Sequence, residues 1–119
     1  MSGAVSYHGG LAAEAQVAAL YQRRGRQIAA QRWRGTAGEI DLVARDGDAV
    51  IFIEVKKAAS HARAVERLSR RQMNRIYASA SEFIAGEPAG QMTEVRFDVA
   101  LVDSIGRIEV LENAFGLDW

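Results

Sequence analysis

The chain contains no cysteine, one proline and only two histidines among its 119 residues. The absence of cysteine excludes disulfide bonds and thiolate metal sites. Neither His8 nor His61 has a histidine partner at ligand spacing, so no zinc site is predicted. The single proline, Pro88, lies in a glycine-containing polar segment that predicts a loop.

Long apolar runs and an excess of one charge are also missing. No segment approaches the ~18 apolar residues that a membrane-spanning helix needs. Residues 1–10 lack a basic start followed by an apolar block, so no secretory signal is predicted and a cytoplasmic location is expected. Fifteen basic residues balance fifteen acidic ones. This balance disfavours a protein that coats nucleic acid non-specifically, yet it allows a local basic surface.

The pattern that is present predicts one α/β domain covering residues 1–119. A tight turn at Asp46-Gly47-Asp48 joins an alternating strand to an almost wholly apolar one, which is typical of a buried central strand. A helix then leads to a further strand, so we expect a mixed sheet flanked by helices in the order α-β-β-β-α-β-β. The predicted elements are a helix over 10–24 that Gly25 ends, strands over 26–34, 39–45 and 49–55, a helix over 62–85 that is either continuous or broken near Leu68, and strands over 95–102 and 108–111.

The two strands of this hairpin carry charges at positions where strands are usually apolar. Strict alternation over 39–45 places Ile40, Leu42 and Ala44 on one face and Glu39, Asp41 and Val43 on the other. The turn centred on Gly47 puts Asp41 opposite residue 53 or 54. The sequence therefore predicts that Asp41 lies beside Glu54.

Glu54 and Lys56 end the second strand and, being two residues apart, share one face. Two adjacent carboxylates repel each other unless a cation lies between them, and such oxygen ligands suit Mg²⁺ or Mn²⁺. A metal can polarise a phosphate and acidify water, while a lysine can stabilise developing charge. We therefore predict a site for phosphodiester hydrolysis on Asp41, Glu54 and Lys56. The alternative is that these three residues form a purely structural ion cluster.

Three further polar residues are candidates for supporting roles. Glu14 falls within the apolar stripe of the first helix, which suggests an additional metal ligand, an acceptor for an arginine, or a solvated position. Glu39 shares a strand face with Asp41 and either assists the site or marks the exposed start of the strand. Gln72 lies on the apolar side of the second long helix, and a buried glutamine needs hydrogen-bond partners. We expect the active-site end of the sheet to supply them.

Arginines recur along the second long helix. If that helix is continuous they form one stripe, which is either a phosphate-contact surface or a solvated face. Trp33 in the second basic segment could stack on a base, although a core position is the more usual role. The predicted nucleic-acid-binding stripe consists of Arg63, Arg67, Arg70, Arg71 and Arg75.

Five segments together resemble the signature of the YraN-like family of small bacterial proteins, usually described as predicted endonucleases. Residues 38–44 (GEIDLVA) and 51–56 (IFIEVK) resemble its central motifs. Residues 10–18 resemble its G-x-x-A-E-x-x-A helix, 96–99 its R-F-D-V strand and 112–115 its closing N-A-F. The resemblance covers nearly the whole chain.

The resemblance implies a restriction-endonuclease-like fold of the PD-(D/E)XK superfamily. It implies metal binding by Asp41 and Glu54, with the Val55 carbonyl and Glu14 as further ligands and Lys56 as a catalytic residue. The implied function is a Mg²⁺- or Mn²⁺-dependent nuclease acting on branched or single-stranded DNA, with DNA favoured over RNA. Resolvases of this fold act as dimers, so a homodimer is one expectation, although no segment marks an interface.

Some positions depart from the patterns of related nucleases. A tyrosine is expected four residues after Gln72, yet Ile76 stands there and Tyr77 follows. A basic or hydroxyl residue is expected soon after the E-x-K pair, but Lys57 is followed by two alanines. Two alternatives to an enzyme therefore stay open: a non-catalytic nucleic-acid-binding module of the same fold, and a structural or partner-binding protein.

Overall fold

The computed structural model describes the backbone of residues 3–65 and 69–114 and the side chains of 12–63 and 69–114. Arg67 and Phe115 lie outside the described residues. The elements follow the predicted order α-β-β-β-α-β-β, with the second helical region in two pieces. They are α1 (Gly3–Arg23), β1 (Gln27–Arg34), β2 (Glu39–Asp46), β3 (Ala49–Lys57), α2 (His61–Val65), α3 (Arg70–Ile84), a 3-10 turn (Gly90–Met92), β4 (Val95–Val102) and β5 (Ile108–Leu111).

The strands form one sheet in the order β1-β2-β3-β4-β5. All neighbours are antiparallel except β3 and β4, which run parallel. A parallel pair needs a long crossover, and the helical region between β3 and β4 supplies it. The predicted mixed sheet is therefore confirmed. No described helix is long and apolar enough to cross a membrane.

The turn between β2 and β3 fixes the register that matters for the site. Asp46 pairs with Ala49 across a two-residue turn, and Gly47 has a φ of +62°, a conformation that glycine adopts without steric cost. The ladder then runs to the pair Leu42–Ile53. One step further along this register, Asp41 lies across from Glu54, as the sequence predicted.

The core has two layers because successive residues of the central strand face opposite sides of the sheet. Val43 and Phe52 pack with Met73 and Ile76 of α3. On the other face, Leu42, Ala44, Ile51 and Ile53 pack with Ala13, Val17, Ala18 and Tyr21 of α1. The sheet is thus held between α1 and α3, and both helices approach the end of β3 that carries Glu54.

The predicted strict alternation of residues 39–45 is wrong at Ile40. Ile40 packs in the α3-side cluster with Val43, whereas Leu42 and Ala44 pack on the α1 side. The recorded pairing of β2 with β3 stops at Leu42. Beyond that point β2 pairs with β1 alone, and Asp41 has no ladder partner in either neighbouring strand, so the two-residue period is interrupted there.

Two helix boundaries also differ from the prediction. Helix α1 begins at Gly3 rather than Gly10, because each glycine weakens a helix by only about 1 kcal/mol and need not end it. The single arginine stripe depended on a continuous helix, whereas the structure has two separate helices, α2 and α3. Ser69 is extended (φ −129°, ψ 154°), and its side chain accepts a hydrogen bond from the Gln72 amide as the N-cap of α3. The broken alternative near Leu68 is therefore confirmed.

The edge strand β1 is irregular. Its register with β2 shifts between Ile28 and Ala30, which marks a bulge. Arg32 has a φ of 53°, in the left-handed region that residues with a side chain rarely adopt. Such outliers persist only where the surrounding structure holds them, and they are often found near functional sites.

Candidate functional site

The site begins where β2 and β3 part. The Asp41 Oδ2 atom accepts a hydrogen bond of 2.8 Å from the backbone amide of Val55. The Asp41 and Glu54 side chains line the same two clefts, and each carboxyl group affects the pKa of the other. The register therefore brings two acidic groups of neighbouring strands together.

Glu54 is buried, with 6% of its surface exposed. The Lys56 Nζ atom lies 3.1 Å from Glu54 Oε2. Gln72 Nε2 of α3 donates a hydrogen bond to the same oxygen. The strand thus presents Glu54 and Lys56 on one face, and the helix above supplies the amide. The structure thus gives Gln72 the hydrogen-bond partner that the sequence predicted at the active-site end of the sheet, and this partner is Glu54.

Burial and mutual repulsion make the acidic pair hold protons more tightly than isolated carboxyl groups do. Burial, followed by the Asp41 charge, raises the pKa of Glu54 to about 8, although Lys56 opposes the rise. Burial also raises the pKa of Asp41, against the Val55 amide and the Lys56 charge. One lysine does not neutralise the pair. A divalent cation would offset the repulsion between the two carboxylates, so this donor set fits Mg²⁺ or Mn²⁺.

Glu14 extends the acidic group from the α1 side. Burial, followed by the Asp41 charge, raises the pKa of Glu14 to about 7. Arg32 Nη1 lies 3.7 Å from Glu14 Oε1 and lowers that pKa in part. Glu14 is therefore partly buried beside the site and ion-paired with an arginine. Across the described part of the chain, no three His, Cys, Asp or Glu side chains converge on one point as a metal site. A cation held by Asp41 and Glu54 would consequently need backbone or water oxygens as well.

Two hollows meet at the acidic pair. Asp41, Glu54 and Gln72 line both of them. The α3-side cleft, of about 270 Å³, is also lined by Arg34, Gly38, Glu39, Arg75 and Ile76. The α1-side cleft, of about 390 Å³, is also lined by Ala13, Glu14, Val55, Lys56 and Lys57. The acidic pair can therefore be reached from both faces of the sheet.

Another buried carboxylate shows what a purely structural group looks like in this protein. Asp98 is fully buried, and its two oxygens accept hydrogen bonds from Arg96 at 2.8 and 2.9 Å. The Tyr21 hydroxyl and the Asn113 amide add bonds of 2.6 and 2.9 Å. Asp98 has a directly paired guanidinium, that of Arg96. Asp41 and Glu54 lack this arrangement, since they lie beside each other.

The structure gathers only some of the predicted nucleic-acid-binding arginines. Among Arg63, Arg70, Arg71 and Arg75, only Arg75 lines a cleft at the acidic pair. The others are exposed on α2 or at the start of α3. Trp33 packs edge-on against Phe83, with ring centroids 5.3 Å apart, which supports its core role. Arg34 was missed as a cleft residue, because its position depends on the β1–β2 register, in which it pairs with Glu39.

Comparison with known proteins gives one consistent family. The model of the uncharacterised protein family UPF0102 matches residues 13–102. A UPF0102 protein of Cereibacter sphaeroides is 68% identical over 115 residues, covering 97% of this chain and 98% of the relative. A UPF0102 protein of Ruegeria pomeroyi is 58% identical over 107 residues, covering 90% and 87%. One of Roseobacter denitrificans is 52% identical over 113 residues, covering 95% and 88%. These matches confirm the YraN-like resemblance, and the chain belongs to the UPF0102 family.

Proposed function

We propose that this protein is a metal-dependent nuclease that hydrolyses DNA phosphodiester bonds. The observation that carries the proposal is that Asp41 and Glu54, from neighbouring strands, line the same clefts, with Lys56 at 3.1 Å from Glu54. Two neighbouring carboxylates are costly in a fold, whereas Asp98 shows that this chain can build a fully paired one. A cation between Asp41 and Glu54 would offset the free-energy cost of their repulsion.

Asp41 and Glu54 would hold the cation, with the Val55 carbonyl and water as further oxygen donors, and Glu14 would reach the cation only through a bound water. When bound, a divalent ion would supply a Lewis acid and an acidified water. Gln72 orients Glu54 through its amide. Lys56 presents a cation beside the reacting position, where it stabilises negative charge on a phosphate. Glu39, at the wall of the α3-side cleft, is an accessory residue that contributes negative charge.

The substrate and the setting belong to the same proposal. The order of elements matches what the resemblance to PD-(D/E)XK nucleases implies, and this supports a restriction-endonuclease-like fold with DNA as substrate in preference to RNA. Single-stranded or branched DNA is the form to test first. A cytoplasmic location follows from a DNA substrate, and a homodimer follows from the resolvase analogy.

A structural role for the acidic group is the second candidate. It is favoured by the bonds from Gln72, Lys56 and the Val55 amide, which satisfy Asp41 and Glu54 in part without a metal. The two candidates differ in what removal of one carboxylate does to the metal-free protein. Loss of an ion-pair partner destabilises a structural cluster. In a metal site without its metal, loss of one of two carboxylates removes their electrostatic repulsion, so the protein is not destabilised.

Thermal melting of the wild type and Asp41→Asn, first with chelator and then with Mn²⁺, separates these candidates. The nuclease proposal expects Mn²⁺ to raise the Tm of the wild type but not that of Asp41→Asn, since a ligand stabilises the state that binds it. Glu94→Gln, which removes an exposed carboxylate, should respond like the wild type. The proteins are then incubated with Mg²⁺ and single-stranded, duplex or branched DNA. No cleavage of any form, together with no Mn²⁺ response, would contradict the proposal.

A further inference from the structure

Two arginines stand at the wall of the α3-side cleft, on different elements. Arg34 is the last residue of β1, and Arg75 lies on α3. Both line the cleft that also contains Asp41 and Glu54. Both are exposed, and neither forms an ion pair with another residue that the structure describes. The two basic side chains of this cleft are thus available for a ligand.

The loop that follows Arg34 is fastened to the helix that carries Arg75. The Ser79 hydroxyl of α3 donates to the Gly38 carbonyl at 3.0 Å. Glu82, also on α3, accepts from the amide and the hydroxyl of Thr36 at 3.0 and 2.8 Å. A Cβ built on Gly38 would lie 4.0 Å from Arg75 Cδ, so Arg75 passes close to this loop. The two arginines are therefore held on one connected scaffold, which limits the ordering cost of binding a ligand between them.

The charges in the cleft also specify the ligand. Glu39 faces Arg34 across the β1–β2 ladder, yet the two side chains form no ion pair. With Asp41 and Glu54, three carboxyl groups oppose two guanidinium groups. A divalent cation on the acidic pair would make the cleft attractive to an anion. Guanidinium groups match the oxygens of a phosphate through paired hydrogen bonds.

We propose that Arg34 and Arg75 form a phosphate-binding subsite, which holds a backbone phosphate of the nucleic acid next to the one that reacts. This inference rests on the proposed function and deepens it. It replaces the predicted stripe along one helix with a pair that bridges β1 and α3. Lys56 and Lys57, at the wall of the α1-side cleft, lie beyond the acidic pair from this subsite. The backbone would accordingly run from the α3-side cleft, past Asp41 and Glu54, to the α1-side cleft.

The test is binding of fluorescent single-stranded and duplex oligonucleotides in Ca²⁺ across a salt series, with gels to verify that the DNA stays intact. Arg34→Gln and Arg75→Gln should each weaken binding about tenfold, since one charge-assisted contact is worth roughly that much. Each should also make the slope of log K against log salt concentration less negative, by about 0.7 for single strands or about 0.9 for duplex DNA. Arg34→Lys and Arg75→Lys should keep the salt dependence while losing part of the affinity. Arg23→Gln, an exposed arginine at the end of α1, is the matched control.

The outcomes separate the subsite from the nuclease itself. If the wild type binds or cuts DNA and both glutamine variants match Arg23→Gln, the subsite is wrong and the nuclease proposal stands. If Arg63→Gln and Arg71→Gln weaken binding as much as the cleft variants, phosphate recognition is spread over the helical surface and the subsite is again wrong. If the wild type neither binds nor cuts any form of DNA, both proposals fail together.

Discussion

The Oδ2 atom of Asp41, on β2, accepts a hydrogen bond of 2.8 Å from the backbone amide of Val55, on β3. The recorded main-chain ladder between the two strands ends at Leu42 and Ile53, so the carboxylate continues the pairing after the backbones part. This bond holds Asp41 against Glu54, even though the two acids repel each other. The strands can therefore open a site at this end of the sheet without losing their register.

The stability of the metal-free protein should depend on pH through Glu54. Its pKa is about 8 in the fold against an ordinary value of 4.5, so the folded state binds the proton more tightly than the unfolded chain. This stabilisation is complete below pH ~4.5 and is lost as the pH rises through ~8. Urea unfolding in chelator at several pH values should show the decline, and Glu54→Gln should reduce it. An equal slope in Glu54→Gln and the Glu94→Gln control would contradict this prediction.

Removal of the Gln72 amide should weaken the fold and the site together. Gln72→Leu leaves Glu54 without one of its donors, which costs about 1–3 kcal/mol for a buried group. Urea unfolding measures this loss, and DNA cleavage should fall as well because Glu54 is less well oriented. Asn74→Leu places the same side chain at an exposed position of α3 and is the control. Equal stability of the two variants would show that the Gln72–Glu54 bond contributes little.

Asp98 and Asp41 should respond in opposite ways to loss of their charge. Asp98→Ala strands Arg96 beside a buried position and should lower the free energy of unfolding by about 3–5 kcal/mol. Neither chelator nor Mn²⁺ should alter that loss. Asp41→Asn, by contrast, should be neutral or stabilising in chelator and should lose the response to Mn²⁺. Chemical denaturation of both variants under both conditions provides the comparison. A large loss for Asp41→Asn in chelator would favour the structural cluster.

A side chain at Gly47, in the β2–β3 turn, should meet no steric clash but should strain the backbone. No atom lies within 4 Å of a Cβ built there, so the cost of Gly47→Ala comes from its φ of +62° alone, roughly 1–2 kcal/mol. Gly86→Ala is the matched control, because its φ is ordinary and the nearest atom to its Cβ is 3.6 Å away. That control should be neutral or slightly stabilising. Similar unfolding midpoints for the two variants would mean that the turn rearranges.

The sequence contained enough information to place the acidic pair but not its surroundings. The Asp46-Gly47-Asp48 turn fixed the register, and a two-residue period then brought Asp41 to Glu54. Arg34 could not be placed in the same way, because its position in the cleft depends on how α3 packs against the 35–38 turn, which the sequence does not show. Ile40 was misplaced because the two-residue period breaks at Asp41, which has no recorded ladder partner in β1 or β3. Asp98 was not identified as a buried group, since its partners Tyr21 and Asn113 come from distant parts of the chain.

The irregular strand β1 has a consequence for how two molecules could associate. It lies at one border of the sheet, where a straight, regular strand would offer a row of backbone groups to a second copy. The bulge between Ile28 and Ala30 and the left-handed backbone of Arg32 bend that row. Sheet extension across β1 would thus be interrupted within a few residues. The opposite border is β5, which is only four residues long, so a stable dimer would have to be built from side-chain surfaces rather than from a shared sheet.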